Sequence, residues 1–392
     1  MQKDFHYYAT YCAAILAGYS PAESLEICYG AQLVDWCSVT FLTALKGPKA
    51  AATTQLQLEL MKDRTDLAGL QDITRIWASF HFLPYDLHAE VQKASLRYKN
   101  KYRLICKPNG ALVKDTVELA RSRGTLQAAG IAMHVLADTW AHSYFAGTPS
   151  LVINNTDYFF YELLTTPEGE IERKVRFRHN PGAEDDLDQG IFTNSVSQGD
   201  ENSIMVLGHG RAGHLPDYSF MRYRYLPAWG RYETVVKDNP AEYYHAFCQM
   251  VYALQYLRHA RPDFQLDAYA WDTVKPLEER IRAILEKRQL DSCEDWRALG
   301  ETLSGGSPED FDLEKYRQEY MTADENGKDS TWLGAFFTAA MAQKSMVTNK
   351  IFTSGNLLAG FSVDFLEKGF RGIRDYRALV KQAAGAERGT RE

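Results

Sequence analysis

The chain is poor in the features that mark several large protein classes. Its six cysteines (Cys12, Cys28, Cys37, Cys106, Cys248, Cys293) are scattered and form no CxxC pair. That excludes a thiolate zinc finger and a disulfide scaffold, and predicts buried free thiols in a reducing compartment. No window reaches the roughly 18 to 20 apolar residues that a membrane-spanning helix requires. The opening MQKDFHYYATYCAAILAGYS lacks a basic region before a long apolar run and carries His6 and four tyrosines, so no cleaved signal peptide is expected. Cytoplasmic location, or export without a cleavable signal, follows. Lys/Arg runs are missing as well: 44 basic against 51 acidic residues leave a formal charge of -7, and no stable nucleic-acid complex is expected. Histidine is absent after His259, so residues 263–392 read as a helical scaffold or lid rather than as chemistry. There is no internal repeat and no low-complexity tract.

What is present is apolar periodicity near 3.6, in a chain whose 45% hydrophobic content suffices for a large core. A helix is predicted over residues 4–18. A second follows Ser20-Pro21, where Ser20 caps and Pro21 suits the first turn. Val113 to Ser122 and Thr125 to Phe145 are helical on either side of Gly124, and the second stretch is apolar enough to be a central buried helix. Another helix starts at Asn239-Pro240 and runs to about His259. Residues 148–238 carry turn signals such as Thr166-Pro167-Glu168-Gly169, which predict loops and a small β-hairpin. Residues 267–289 form an amphipathic helix, and Ser304 to Pro308 is the best linker. Leu313 to Tyr320, Trp332 to Met346 and Phe365 to Ala384 are helical. The expected fold is all-α, a multi-helix bundle around a central buried metal-binding helix. A metal-binding core would occupy residues 1–262 and a helical region residues 263–392.

The most informative stretch is Gly130-Ile-Ala-Met-His134-Val-Leu-Ala-Asp138-Thr-Trp-Ala-His142. His134, Asp138 and His142 stand at i, i+4 and i+8, and on a helix they share one face. Their neighbours are apolar, so the polar stripe is buried. Burying two histidines and an aspartate without partners costs several kcal/mol, and a divalent cation satisfies all three. The three span about 12 Å along a straight helix, so two ions bridged by Asp138 are expected rather than one. Further ligands must come from elsewhere in the chain. Asp4 and His6 lie in the first helical turn. Asp35 interrupts an apolar helix, where its alternative role is a helix-end or capping carboxylate. His81 sits in Ser79-Phe-His81-Phe-Leu-Pro84. The loop Gly208-His209-Gly-Arg-Ala-Gly213-His214-Leu-Pro-Asp217-Tyr218 can bend to present His209, His214 and Asp217.

These motifs resemble the signature of the zinc-dependent phospholipase C and single-strand-specific zinc nuclease superfamily, which is all-helical and holds three clustered zinc ions. The resemblance implies two or three zinc ions here. His134 and Asp138 would share one with His81 and Asp35, with Asp72 as the rival acid. His142 would hold a second with Asp217 and either His209 or His214. A third would take Asp138 and His6. Family members also use a mature N-terminal amine as a ligand; with Met1 kept, Asp4 would replace it. The family usually has a proline before the histidine that follows its central Asp, and none stands between Asp138 and His142. The whole chain also resembles an uncharacterised bacterial family opening with Asp-Phe-His-Tyr-Tyr.

Such a site predicts a phosphodiester hydrolase, phospholipase C-like, that attacks a phosphate-ester substrate with a metal-activated water. Asp35 or Asp4, if not a ligand, is the candidate general base. Arg211, Tyr218 and Arg222 are candidates to hold phosphate oxygens. Tyr218, Phe220, Tyr223, Tyr225 and Trp229 would supply an apolar platform for a phospholipid. The same stretch with Arg222, Arg224 and Arg231 would serve a nuclease. A third reading makes the metal structural in a non-enzymatic protein.

Overall fold

The computed structural model describes residues 1–56, 59, 67–90, 102–148, 159–178, 185–192, 209–227, 233–259 and 263–356. A π-helical segment, Asp4–Ala9, runs into α1 (Thr10–Leu16), and α2 (Pro21–Trp36) follows; α3 is Val39–Ala44, α4 Leu67–Phe80, α5 Ala111–Arg123 and α6 Leu126–Ala141. Strands β1 (Tyr161–Thr166), β2 (Gly169–Lys174), β3 (Phe177–Arg178) and β4 (Ile191–Phe192) precede the short α7 (His209–Ala212), then β5 (Arg222–Tyr225), β6 (Val235–Asp238) and α8 (Asn239–Arg258). The remaining helices are α9 (Trp271–Val274), α10 (Glu278–Glu286), α11 (Cys293–Ser304), α12 (Leu313–Thr322) and α13 (Trp332–Thr353). The fold is mainly helical, with one four-stranded sheet in the order β2-β1-β5-β6 and a short parallel pair, β3-β4. The expected hairpin is β1-β2, closed where Thr166 pairs with Gly169, whose φ of 127° only glycine adopts freely. The sheet it belongs to is larger than the sequence implied. No helix among the described residues is long and apolar enough to cross a membrane. The helix expected over 365–384 lies outside the described residues.

Helix α2 starts where its sequence directs. The Ser20 side chain accepts from the Glu23 amide while Glu23 returns a bond to Ser20, with Pro21 in the first turn. Helix α5 stops at Gly124, which takes φ 66°, and α6 restarts with Thr125 as its cap. Helix α6 is buried almost all round, between α2, α8, α5 and α13. It ends at Ala141, earlier than the apolar pattern suggested. Tyr144 adopts φ 75° there, and the chain beyond exchanges backbone bonds with Cys106, Cys106 N to Phe145 O at 2.7 Å and Tyr144 N to Cys106 O at 2.7 Å. His142 is therefore a C-cap residue rather than a mid-helix one.

The α2–α6 crossing depends on two glycines. A Cβ on Gly130 would stand 2.3 Å from the Ile27 carbonyl oxygen, and one on Gly30 would stand 3.2 Å from the Gln127 carbonyl oxygen. This closeness lets a side chain of α6 reach the backbone of α2. One apolar core runs from Met1 and the first helices through α6 and α8 to Ile351 in α13, so the C-terminal helices share it. A second lies under the sheet and includes Phe82, Phe145, Phe160, Tyr218, Tyr223 and Tyr225. The polar site lies where the two meet, with Trp77 packed against both.

Gly130→Ala should therefore cost about 1–3 kcal/mol by forcing the two helices apart. Gly306→Ala, which meets nothing within 4 Å, should be close to neutral. Urea unfolding of the two variants beside wild type measures the difference.

Candidate metal centre

Five segments meet around Asp138. The π-helical segment brings His6, α2 brings Asp35, the turn after α4 brings His81, α6 brings His134 and Asp138 with His142 at its cap, and α7 with the loop after it brings His209 and Asp217. Asp138 is 1% exposed. Its Oδ2 stands 3.1 Å from His81 Nδ1 and 3.1 Å from His134 Nε2, while Oδ1 stands 3.1 Å from His6 Nε2. The two carboxylate oxygens thus face different partners. Asp35 Oδ1 lies 4.0 Å from His81 Nδ1 and 3.9 Å from His134 Nε2, with its side chain 29% exposed. Beyond the end of α6, His142 Nε2 and His209 Nε2 stand 3.4 and 3.2 Å from Asp217 Oδ1. Three groups with metal-ligand chemistry result: His6/His134/Asp138, Asp35/His81/His134 and His142/His209/Asp217.

Backbone carbonyls fix which ring nitrogens carry hydrogen. His134 Nδ1 donates to Ala31 O (2.9 Å), His142 Nδ1 to His81 O (2.8 Å) and His81 Nε2 to Thr53 O (3.1 Å), since a carbonyl can only accept. The first of these bonds exists because the glycine crossing brings α2 within reach. Burial lowers the His6, His134 and His142 imidazoles from 6.5 to about 4, outweighing the Asp138 carboxylate, which pulls them the other way, so they are neutral at pH 7. The lone pairs of His134 and His142 then point inward. His134 Nε2 is also 3.3 Å from His81 Nδ1, so three acceptor-type atoms crowd together and one proton at most lies among them. His6 stacks on His134 at 3.7 Å, and neither of its ring nitrogens has a hydrogen-bond partner among the described residues, its contact with Asp138 being close but misaligned. Orphaned buried acceptors cost about 1–3 kcal/mol each. Ligand atoms around a tetrahedral zinc-sized ion stand about 3.4 Å apart, which matches this spacing.

The sequence placed Asp4 where an amine would otherwise serve, and the structure reverses this. Asp4 turns away, its Oδ2 accepting from Ser292 Oγ at 2.6 Å, and it lies outside the cluster. The α-ammonium of Met1 enters instead, 3.0 Å from Asp138 Oδ1, 3.2 Å from Asp217 Oδ1 and 3.3 Å from His142 Nε2. Burial alone would depress this amine, but Asp138, Asp217 and Asp35 outweigh it and push it up to about 11. Periodicity carries no signal for a terminal amine. Asp72 is exposed and paired with Arg75 at 3.2 Å, so Asp35 is the acid beside His81 and His134. Of the two loop histidines, His209 joins Asp217, while His214 gives its Nδ1 to Asp185 at 2.7 Å.

The substrate-side candidates fare differently. Tyr218 is buried with its hydroxyl on Asp185. Arg222 lies on the sheet, paired with Glu170 at 2.9 Å and Asp238 at 3.3 Å, and Arg224 pairs with Glu172. The side chain of Arg211, and Trp229 and Arg231 altogether, lie outside the described residues. Tyr218, Phe220, Tyr223 and Tyr225 form the second core, so this stretch is packing and not an open platform. A cavity of about 310 Å³ opens on the cluster, lined by Asp35, Thr54, Trp77, Phe82, His209 and His214 among others.

These features define a mainly helical protein with clustered histidine and aspartate groups able to hold metal ions. The chain belongs to a family of unknown function, DUF6765, whose family model matches residues 1–351. No curated protein and no solved structure matches it, and the likeness to zinc-dependent phospholipases C and nucleases has no support from these comparisons.

The lowered imidazoles fix a pH dependence. A histidine held at about 4 in the fold and at 6.5 when unfolded contributes fully above about pH 6.5, and its contribution is lost as pH falls toward 4. By pH 5 each has lost up to about 2 kcal/mol of it. Chelator-treated protein should thus lose urea resistance between pH 7.5 and 5, less steeply in His142→Gln. A flat profile in both would mean that these rings are not held neutral.

Proposed function

We propose that this chain is a metal-dependent hydrolase of phosphate esters, with two or three zinc ions held around Asp138. The observation that carries the reading is the crowding of neutral imidazole nitrogens around one buried carboxylate, a donor set that a cation satisfies and protons do not. His6, His134, His81 and Asp138 would hold the inner ions, with Asp35 beside them as the base, and His142, His209 and Asp217 the outer one. The Met1 amine would serve as a ligand once deprotonated. Nitrogen and carboxylate donors without thiolate suit zinc. Bound ions there would lower the pKa of a water and neutralise charge on a phosphate. Asp35, raised by burial and open to the cavity, supports a general-base role, since a carboxylate so raised accepts a proton more readily.

No Lys or Arg stands among the described residues lining the cavity, so anion binding would fall to the metals. A small phosphodiester or a phospholipid headgroup fits its volume; phospholipase C-like cleavage is the particular case to test. The nuclease alternative loses its support on the sheet, because Arg222 and Arg224 are already paired with acids.

Protein reconstituted with zinc and passed through a desalting column should retain two or three equivalents by elemental mass spectrometry. Asp138→Asn should retain almost none, and Asp217→Asn should lose one. The zinc-loaded protein should hydrolyse bis(p-nitrophenyl) phosphate or phosphatidylcholine vesicles, and Asp35→Asn should lower kcat by about 10²–10⁴-fold with metal content unchanged. Less than one zinc equivalent in wild type would sink the metal reading. Full metal without turnover of any ester would leave the ions structural.

A further inference from the structure

His142 and Asp217 are far apart in sequence and lie on elements that do not continue one another, yet their spacing decides whether the outer ion is held. The segment where β6 meets α8 touches both. Lys237, fully buried, donates its Nζ to the carbonyl of Trp140 at 2.9 Å, and also contacts Ser143 Oγ and Glu242. Trp140 and Ser143 bracket His142, so the lysine adds a charged donor at the end of α6, where the last carbonyls carry the negative pole of the helix. Two residues on, Asn239 Nδ2 donates to Leu215 O at 2.8 Å and to Tyr218 O at 2.8 Å, and its backbone nitrogen to Met221 O at 3.1 Å. Tyr243, one turn into α8, donates its hydroxyl to Pro216 O at 2.9 Å. These carbonyls bracket Asp217 in the same way.

We propose that Lys237 and Asn239 are positioning residues for the outer metal group, a clamp that sets the distance between His142 and Asp217. The inference rests on the reading that these groups hold ions. A buried ion pair is a poor device for stability, since desolvation costs several kcal/mol per charge and an apolar pair of similar volume often does as well. A lysine kept here at that cost fixes geometry. The clamp touches neither Asp35 nor His81, so its loss should be felt by one ion only.

The test is zinc and cobalt titration of full-length wild type, Lys237→Met, Lys237→Met/Glu242→Met, Lys237→Arg and Asn239→Ala, with helical content measured alongside. The double variant removes both charges together, so it folds even where the single lysine variant leaves Glu242 stranded. The outer site should weaken about 10–100-fold in the clamp variants, with the inner equivalents and their cobalt spectrum unchanged and partial recovery in Lys237→Arg. Equal loss at all sites in step with lost helix would overturn the clamp as a mere folding effect. Unchanged binding at every site would overturn it as well. Wild type that binds no metal fails the underlying reading, and is told apart by the wild-type titration alone.

Discussion

A single buried carboxylate organises this molecule. Asp138 sits on the most enclosed helix of the fold, and its charge must be met where water does not reach. Its carboxyl is held well below the usual range because, against the cost of burial, His142, the Met1 ammonium, His134 and His6 all favour the anion. The surrounding segments are arranged to supply those partners. The π-helical turn carries His6 inward, the turn after α4 carries His81, and the terminal amine reaches the oxygen that the imidazoles of His81 and His134 leave uncovered.

The carboxylate could not be so crowded without the crossing of α2 and α6. Gly30 and Gly130 let the helices meet backbone to backbone, and the Ala31 carbonyl then takes the Nδ1 hydrogen of His134. A carbonyl with two lone pairs can serve both its own helix and this ring. The consequence is chemical: with one nitrogen committed outward, the other is left bare toward Asp138. The same logic repeats at His142 and His81, each held by a carbonyl on its outer side. Packing residues with no ligand chemistry therefore determine which atoms the site presents.

Much of this was legible in the sequence, for identifiable reasons. The spacing of His134, Asp138 and His142 reports helix geometry directly, and an apolar setting around polar residues signals a satisfied buried group. The caps of α2 and the break at Gly124 follow from local chemistry that tertiary contacts did not override. The misreadings have a common cause, which is that side-chain type does not tell direction. Asp4 has ligand chemistry but turns to Ser292, and the tyrosines of 218–225 look like a surface platform but alternate into a core beneath a sheet. Arg222 and Arg224 read as anion binders until cross-strand acids are seen beside them. Lys237 and Asn239 left no trace at all, because their partners are backbone carbonyls that every sequence contains.

Charge in the cavity narrows the chemistry further. Asp35, Asp138 and Asp217 bring three carboxylates, and the Met1 ammonium is the single fixed cation among the described lining residues. With the imidazoles of His6, His134 and His142 held neutral, these carboxylates outnumber the ammonium by two, a balance that disfavours an anionic substrate. Two dications with the amine deprotonated would turn that balance to one net positive charge, and three dications to three. Metal loading would thus switch the field at the cavity mouth from repelling a phosphate to attracting it, because bound ions are the largest charges in such a site. The absence of Arg and Lys from the described lining then has a physical sense. A further fixed cation there would oppose the entry of metals, whereas three carboxylates against one ammonium would draw the metals first and the substrate second.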